Sequence, residues 1–154
     1  MTGHNPTDRS KLGTKRHILT DKDGIPLSAI ITSANTHDVT VAIETVDSMM
    51  VIKRPSSKPK HKQKQNLCLD KAYHSKDVEQ EIIKRRYIPH IRHRREERIF
   101  HRKHPARRWV VERTNSWHNR FRKLFTRYEK KDENYLGLVQ LANSLIVYKR
   151  IILG

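Results

Sequence analysis

Acid is scarce in this chain, cysteine is almost absent, and no long apolar run goes uninterrupted. Sixteen Asp and Glu stand against 33 Lys and Arg, giving a formal net charge of +17. A compact chain with that surplus repels itself, so a polyanionic partner is expected, nucleic acid first and an anionic membrane surface second. The single cysteine excludes an internal disulfide. It lies in the apolar run Leu67, Cys68, Leu69, where burial would leave a thiol inert. Zinc would then rest on histidine pairs three apart, His90 with His93 and His101 with His104. Those stretches are crowded with arginine and have no supporting cysteine, so zinc is set aside. The polar, turn-like start from Met1 to Pro6 is no signal peptide. The apolar stretch from Leu136 to Leu153 is broken by Gln140, Asn143, Ser144, Lys149 and Arg150, which fits a core helix better than a membrane span. A cytoplasmic protein with no membrane part is the expectation. At 154 residues it has room for one domain and too little for two.

What is present is an alternation of strand and helix patterns without internal repeats. Residues 1–14 are irregular in pattern. His17 to Thr20 and Ile25 to Thr32 flank the turn signal Asp21, Lys22, Asp23, Gly24, which predicts a β-hairpin. An Asn or Asp within Asn35–Asp38 can cap a helix starting near Val39, with Val39, Ile43, Val46 and Met50 as its apolar stripe. Residues 53–65 hold no apolar side chain and form a basic, Pro-containing linker, either solvated or tracking a phosphate backbone. A strand over 66–70 follows, then a helix from Ser75, as its cap, to Arg86 with Val78, Ile82 and Ile83 inward. Tyr87 to Ile91 is a short strand whose Pro89 places it at an edge or strand start. After a cationic stretch over 92–104, one helix is expected from Pro105 to Arg127, with Val110, Trp117, Phe121, Leu124 and Tyr128 facing a core. Another runs from Asn134 to Ile152. The order implies a mixed α/β fold with one sheet covered by helices.

Two acids stand out against the basic background. Asp70 ends the apolar run where a buried strand would surface. Glu112 lies in the helix-patterned segment Arg107, Arg108, Trp109, Val110, Val111, Glu112, Arg113, Thr114. An acid at a strand end and another on a helix suit a two-metal phosphodiester site, because carboxylate oxygens are hard ligands for Mg²⁺. Arg108, Glu112, Asn115, Ser116 and Asn119 share a polar face distinct from the apolar stripe. Arg108 could contact a scissile phosphate or hold the carboxylate in position, or simply form an i,i+4 ion pair with it. Arg107, Arg113, Arg120, Arg122, Lys123 and Arg127 offer phosphate contacts. Trp109, beside Arg108, is the aromatic best suited to stack on an unpaired base; Trp117 and Phe121 fit the core.

The run His104 to Thr114, with Trp117, Asn119, Arg120 and Arg122, resembles the C-terminal signature of bacterial insertion-sequence transposases of the DDE class, in the IS-five-like and IS-four-like branches. Leu67 to Tyr73 resembles the strand carrying that family's second acid, and Lys11 to His17 and Ala34 to Asp38 are similar to other family segments. The resemblance implies a ribonuclease-H-like mixed sheet flanked by helices. It also implies DNA cleavage and strand transfer with Mg²⁺ (or Mn²⁺) held by three acids. Asp70 matches the second acid, Glu112 the third, and Arg108 the arginine four residues before the glutamate. DNA, as transposon ends and target, is the implied partner, in the cytoplasm and on the nucleoid, with the oligomeric state left open.

Three departures qualify that pattern. Pro105 stands where the family often has tyrosine. Asn119 stands where it often has Lys or Arg, with Arg120 next to it. The family's first aspartate lies on an opening, central strand upstream of the equivalent of Asn5 and Pro6. Asp8 (loop), Asp21 and Asp23 (turn) and Asp38 (helix cap) do not sit in its context. The chain is therefore expected to be a C-terminal portion of the catalytic domain lacking that strand. It is either the downstream frame of a transposase completed by an upstream reading-frame product, or a truncated copy. A non-catalytic basic DNA-binding remnant and an RNA-binding basic protein are the alternatives.

Overall fold

The computed structural model describes residues 2–6, 9–49, 64–91 and 108–154, apart from the side chains of Lys71 and Arg108. Most of the 53–65 linker, the 92–104 stretch, Pro105, Arg107, Asp8, Met50, His93, His101 and His104 lie outside the described residues. The elements in order are β1 (Gly3–His4), β2 (Leu12–Thr20), β3 (Pro26–Ser33), α1 (Asp38–Asp47), β4 (Gln65–Leu69), a single turn of tight helix (Lys71–Tyr73), α2 (Lys76–Lys84), β5 (Tyr87–Ile91), α3 (Arg108–Asn119), α4 (Arg122–Thr126) and α5 (Asp132–Val147). A wider helical turn, Tyr148–Ile152, continues from α5. The fold is mixed α/β, as the element order implied.

The expected hairpin is β2–β3, and its turn is built as the sequence suggested. The Asp21 carboxylate accepts from the backbone N–H of Asp23 (2.9 Å) and Ile25 (2.8 Å), and Gly24 takes φ +78°, a conformation side chains oppose. β2 starts at Leu12, well before the expected His17, and pairs antiparallel with β1 and with β3. Residues opposite each other in an antiparallel ladder share a face. His17 with Ile30 and Leu19 with Ser28 therefore form one face, and Arg16 with Ile31 and Ile18 with Ala29 the other. On the first face the Ser28 hydroxyl donates to the Thr45 carbonyl of α1 (2.6 Å), and Leu19 joins a core of Ala42, Val46, Leu67, Val78, Ile82 and Ile91. On the second, Ala29 and Ile31 pack on a core of Leu124, Tyr135, Val139 and Ala142. The hairpin is thus a wall between two cores.

The single expected sheet is two among the described residues: β1-β2-β3, and a parallel pair β4-β5. The parallel pair uses α2 as its crossover, with Leu67 opposite Pro89 and Leu69 opposite Ile91. Among the described residues β4 is the one neighbour of β5, and an edge position accommodates the missing N–H of Pro89. β4 is buried on one side alone, so Leu67 is buried and Cys68 is exposed, not the inert buried thiol expected.

Three helix boundaries differ from expectation. His37, with no Asn or Asp side-chain cap, precedes α1, and Asp38 is its first residue. Ser75 precedes α2 but makes no side-chain capping bond, and Ile83 is exposed while Val78 and Ile82 are buried. The long helix expected over 105–127 breaks at Arg120 and Phe121, whose N–H groups bond back three residues to Trp117 and His118. No proline or glycine marks that break. Leu124 of α4 then drops into the second core, and its carbonyl accepts from the Tyr135 hydroxyl (3.1 Å). Tyr128, expected to end the buried stripe, is exposed. α5 buries Tyr135, Val139, Ala142 and Ile146, a stripe of helical period, while Leu141, Leu145 and Ile151 to Leu153 stay exposed.

Candidate active site and nucleic-acid face

Asp70 comes directly after Leu69, at the carboxyl end of β4, and is exposed. Its carbonyl accepts from the Tyr73 N–H (3.0 Å), closing the tight turn. The crevice at the carboxyl ends of parallel strands is where open α/β sheets bind ligands, because the chain leaves the sheet there and exposes polar groups. Burial, and next the charges of Asp38 and Asp70, push the Tyr73 phenol up to about 12. The Tyr73 ring therefore lies in the field of both carboxylates.

Asp38, expected only to cap a helix, has a different role in the structure. Its carboxylate takes the Lys15 ammonium of β2 at 3.0 Å and lies 4.0 Å from His17 Nδ1. His17 is buried and hydrogen-bonds Thr32 Oγ1 through Nε2 (2.8 Å). Burial lowers its pKa, against the opposing pull of Asp38. This Lys15–His17–Asp38 cluster links β2 to α1, and the charge of Asp38 reaches Tyr73 in the turn after Asp70. Its elements are separated in the chain, so no local motif announced it.

Glu112 is exposed on α3, and the opposite side of that helix is locked. Val110, Thr114 and His118, one turn apart, are all buried. Thr114 Oγ1 donates to the Gly24 carbonyl (2.6 Å), and His118 Nε2 donates to Asn143 Oδ1 of α5 (2.6 Å). Burial lowers the His118 pKa. The turn at Asp23 and Gly24 is thereby fastened to the helix carrying Glu112. Sequence periodicity found Val110 but missed Thr114 and His118, whose polar side chains gave no apolar signal.

The other candidate residues fall into three groups. Arg108 opens α3, with its side chain outside the described set as Arg107 is entirely. Arg113 lies over Trp109 (4.8 Å to the ring centre) and Trp117 (5.2 Å) and donates to the Asp23 carbonyl. Its guanidinium thus serves the α3–turn contact, and Trp109, 55% exposed, has a cation on one face. Arg120, Arg122 and Lys123 are exposed around the α3–α4 break. Asn119, where a basic residue was expected, accepts from Arg16 of β2 (2.9 Å), so a guanidinium reaches that position from another element.

Among the described residues no group of three or more His, Cys, Asp or Glu could hold a metal ion. Nor is any helix among them long and apolar enough to cross a membrane.

Comparison with known proteins gives the family. Residues 2–147 match the family described as Transposase DDE domain. The chain is 35% identical over 151 residues to the Burkholderia cepacia protein "Putative transposase for insertion sequence element IS402", covering 97% of this chain and 70% of that protein. No solved structure matches. A family match across nearly the whole chain, with a relative at that identity, makes this chain a member of the DDE transposase family of insertion sequences.

Proposed function

We propose that the chain is the C-terminal catalytic portion of a transposase that cuts DNA and transfers strands with Mg²⁺ or Mn²⁺, on a ribonuclease-H-like scaffold. The observation that carries the reading is the setting of its two acids. Asp70 is exposed at the carboxyl end of a parallel strand, and Glu112 is exposed on a helix fastened along its other side. Exposed carboxylates fit a hard divalent cation, and these two would supply part of its ligand set. The rest would come from water, the scissile phosphate and a further carboxylate. The metal, when bound, would act as a Lewis acid and stabilise charge on the attacking and leaving oxygens.

The chain's own residues do the positioning. Thr114 ties α3 to the β2–β3 turn and His118 ties it to α5, and the two bonds together position Glu112. Arg108, one turn before Glu112, is assigned to the scissile phosphate or to orienting that carboxylate. Arg120, Arg122 and Lys123 neutralise neighbouring phosphates, and DNA is the partner. In the complete transposase, Asp70→Ala or Glu112→Ala should abolish metal-dependent strand transfer and leave DNA binding within a few-fold. Transfer retained by either variant overturns the site.

A second reading, a basic DNA-binding remnant without catalysis, draws on the net charge of +17. It predicts salt-sensitive binding with weak sequence preference and no nicking by the chain alone. Metal-dependent nicking by the chain alone would refute it.

A further inference from the structure

The segment after α4 holds a surface that the acids and the α3 arginines leave unexplained. Arg127 ends α4 in the left-handed conformation, φ +45°. A non-glycine residue stays there only when its surroundings hold it. Here its guanidinium donates to Asp132 Oδ1 (2.6 Å) and to Thr14 Oγ1, and lies over the Tyr135 ring at 5.3 Å. The clamped reversal turns two aromatic rings outward. Phe125 is 68% exposed and Tyr128 73% exposed. Both line an open cleft of about 620 Å³, together with Arg16, Arg127 and Lys130. That volume falls within the roughly 300–1,000 Å³ usual for small-ligand sites.

We propose that Phe125 and Tyr128 form a stacking platform for unpaired DNA bases, with the cleft's cations holding the adjoining phosphates. The proposal rests on the DNA reading above and names a conformation of DNA that the reading does not require. Aromatic faces shown to solvent beside cations are how proteins bind single strands, since every base has a π-face and every linkage a negative charge. In a duplex those faces are already stacked on one another. An apolar protein partner fits less well: besides Arg127, which Asp132 already pairs, the lining carries Arg16 and Lys130 against the one carboxylate of Glu129, in a chain of net charge +17. The rings also stand apart from Trp109, one face of which is taken by Arg113.

The test compares binding of a fluorescent oligo-dT, a duplex of equal length and an oligo-rU to the full chain and its variants at fixed salt. Each ring removed, in Phe125→Ala and Tyr128→Ala, should weaken oligo-dT binding roughly 5- to 150-fold. Duplex affinity should change by less than about threefold, and Tyr128→Trp should keep the oligo-dT affinity because the π-face remains. Both positions are exposed, so an unchanged thermal midpoint is expected; should the alanine variants melt early, the comparison of Tyr128→Trp with Tyr128→Leu decides. Equal loss on duplex and single strand, or no loss on either, overturns the platform. Duplex binding by the unmodified chain without oligo-dT binding overturns it and leaves the DNA reading standing. Tighter binding of oligo-rU overturns the assignment to DNA. Binding of none of the three overturns both readings.

Discussion

Replacing Thr114 with valine should loosen the helix that carries Glu112 without changing the shape of the core. The threonine is fully buried and its hydroxyl donates to the Gly24 carbonyl at 2.6 Å, with a longer reach of 3.2 Å to Val110 of its own helix. Valine matches the volume, so no cavity opens, but the buried Gly24 carbonyl loses its donor. Leaving such a group unsatisfied costs about 1–3 kcal/mol. A domain of this size has roughly 5–15 kcal/mol in total. With a urea slope of about 2 kcal/mol per molar, the midpoint should fall by roughly 0.5–1.5 M. Thr114→Ser keeps the donor and gives up one buried methyl, worth about 0.8 kcal/mol. The assay is urea unfolding of the three proteins, followed by amide exchange in α3. Valine should be the least stable, and exchange of the α3 amides should speed up. A valine variant as stable as the original would show that the Thr114–Gly24 bond does not hold the helix, and the positioning argument for Glu112 would fail with it.

Two further outcomes follow from the charge distribution. Burial holds the folded-state pKa of both His17 and His118 below the ordinary histidine value of about 6.5. The unfolded chain therefore takes up protons first, and stability should be flat above about pH 6.5 and fall below it. The slope is at most about 1.4 kcal/mol per pH unit for each histidine, and it ends once the folded-state pKa is passed. Urea midpoints between pH 5 and 8 read this directly; His118→Gln should flatten the fall, and a pH-independent midpoint in the original chain would refute it. Arg122→Ala and Lys123→Ala, exposed beside the α3–α4 break, should each reduce the slope of log affinity against log salt by about one on duplex DNA. An unchanged slope would remove either residue from the phosphate-contacting set.

The sequence made visible what local chemistry determines. The Asp-Lys-Asp-Gly turn was legible because the Asp21 carboxylate and the positive φ of Gly24 act within four residues. Asp70 was legible as a strand end because an apolar run stops there. The part of β2 before His17 was not, since Lys15 and Arg16 look like surface residues until their partners arrive. Those partners, Asp38 and Asn119, lie far along the chain. The break between α3 and α4 was hidden for a different reason. Apolar spacing runs unbroken through Trp117, Phe121 and Leu124, and only the depth of the second core, where Leu124 meets Tyr135, requires the chain to turn. Val110 announced the buried side of α3, but its two polar anchors could not, because a buried threonine and a solvent-facing one are the same letter.

The two proposed ligands of the metal belong to different cores, and this shapes how the site can fail. Asp70 is carried by β4, whose Leu67 sits in the cluster with α1, α2 and β5. Glu112 is carried by α3, which is tied to α5 through His118 and Asn143 and borders the cluster of α4 and α5. The β2–β3 hairpin belongs to both, touching the first through Leu19 and Ser28 and the second through Ala29 and Ile31. Because neighbouring residues of a strand point to opposite faces, the two attachments alternate along one ladder. A slip of one residue in that register would exchange the faces and disturb both attachments together. The β2–β3 ladder is therefore an element through which damage to one half of the site would reach the other.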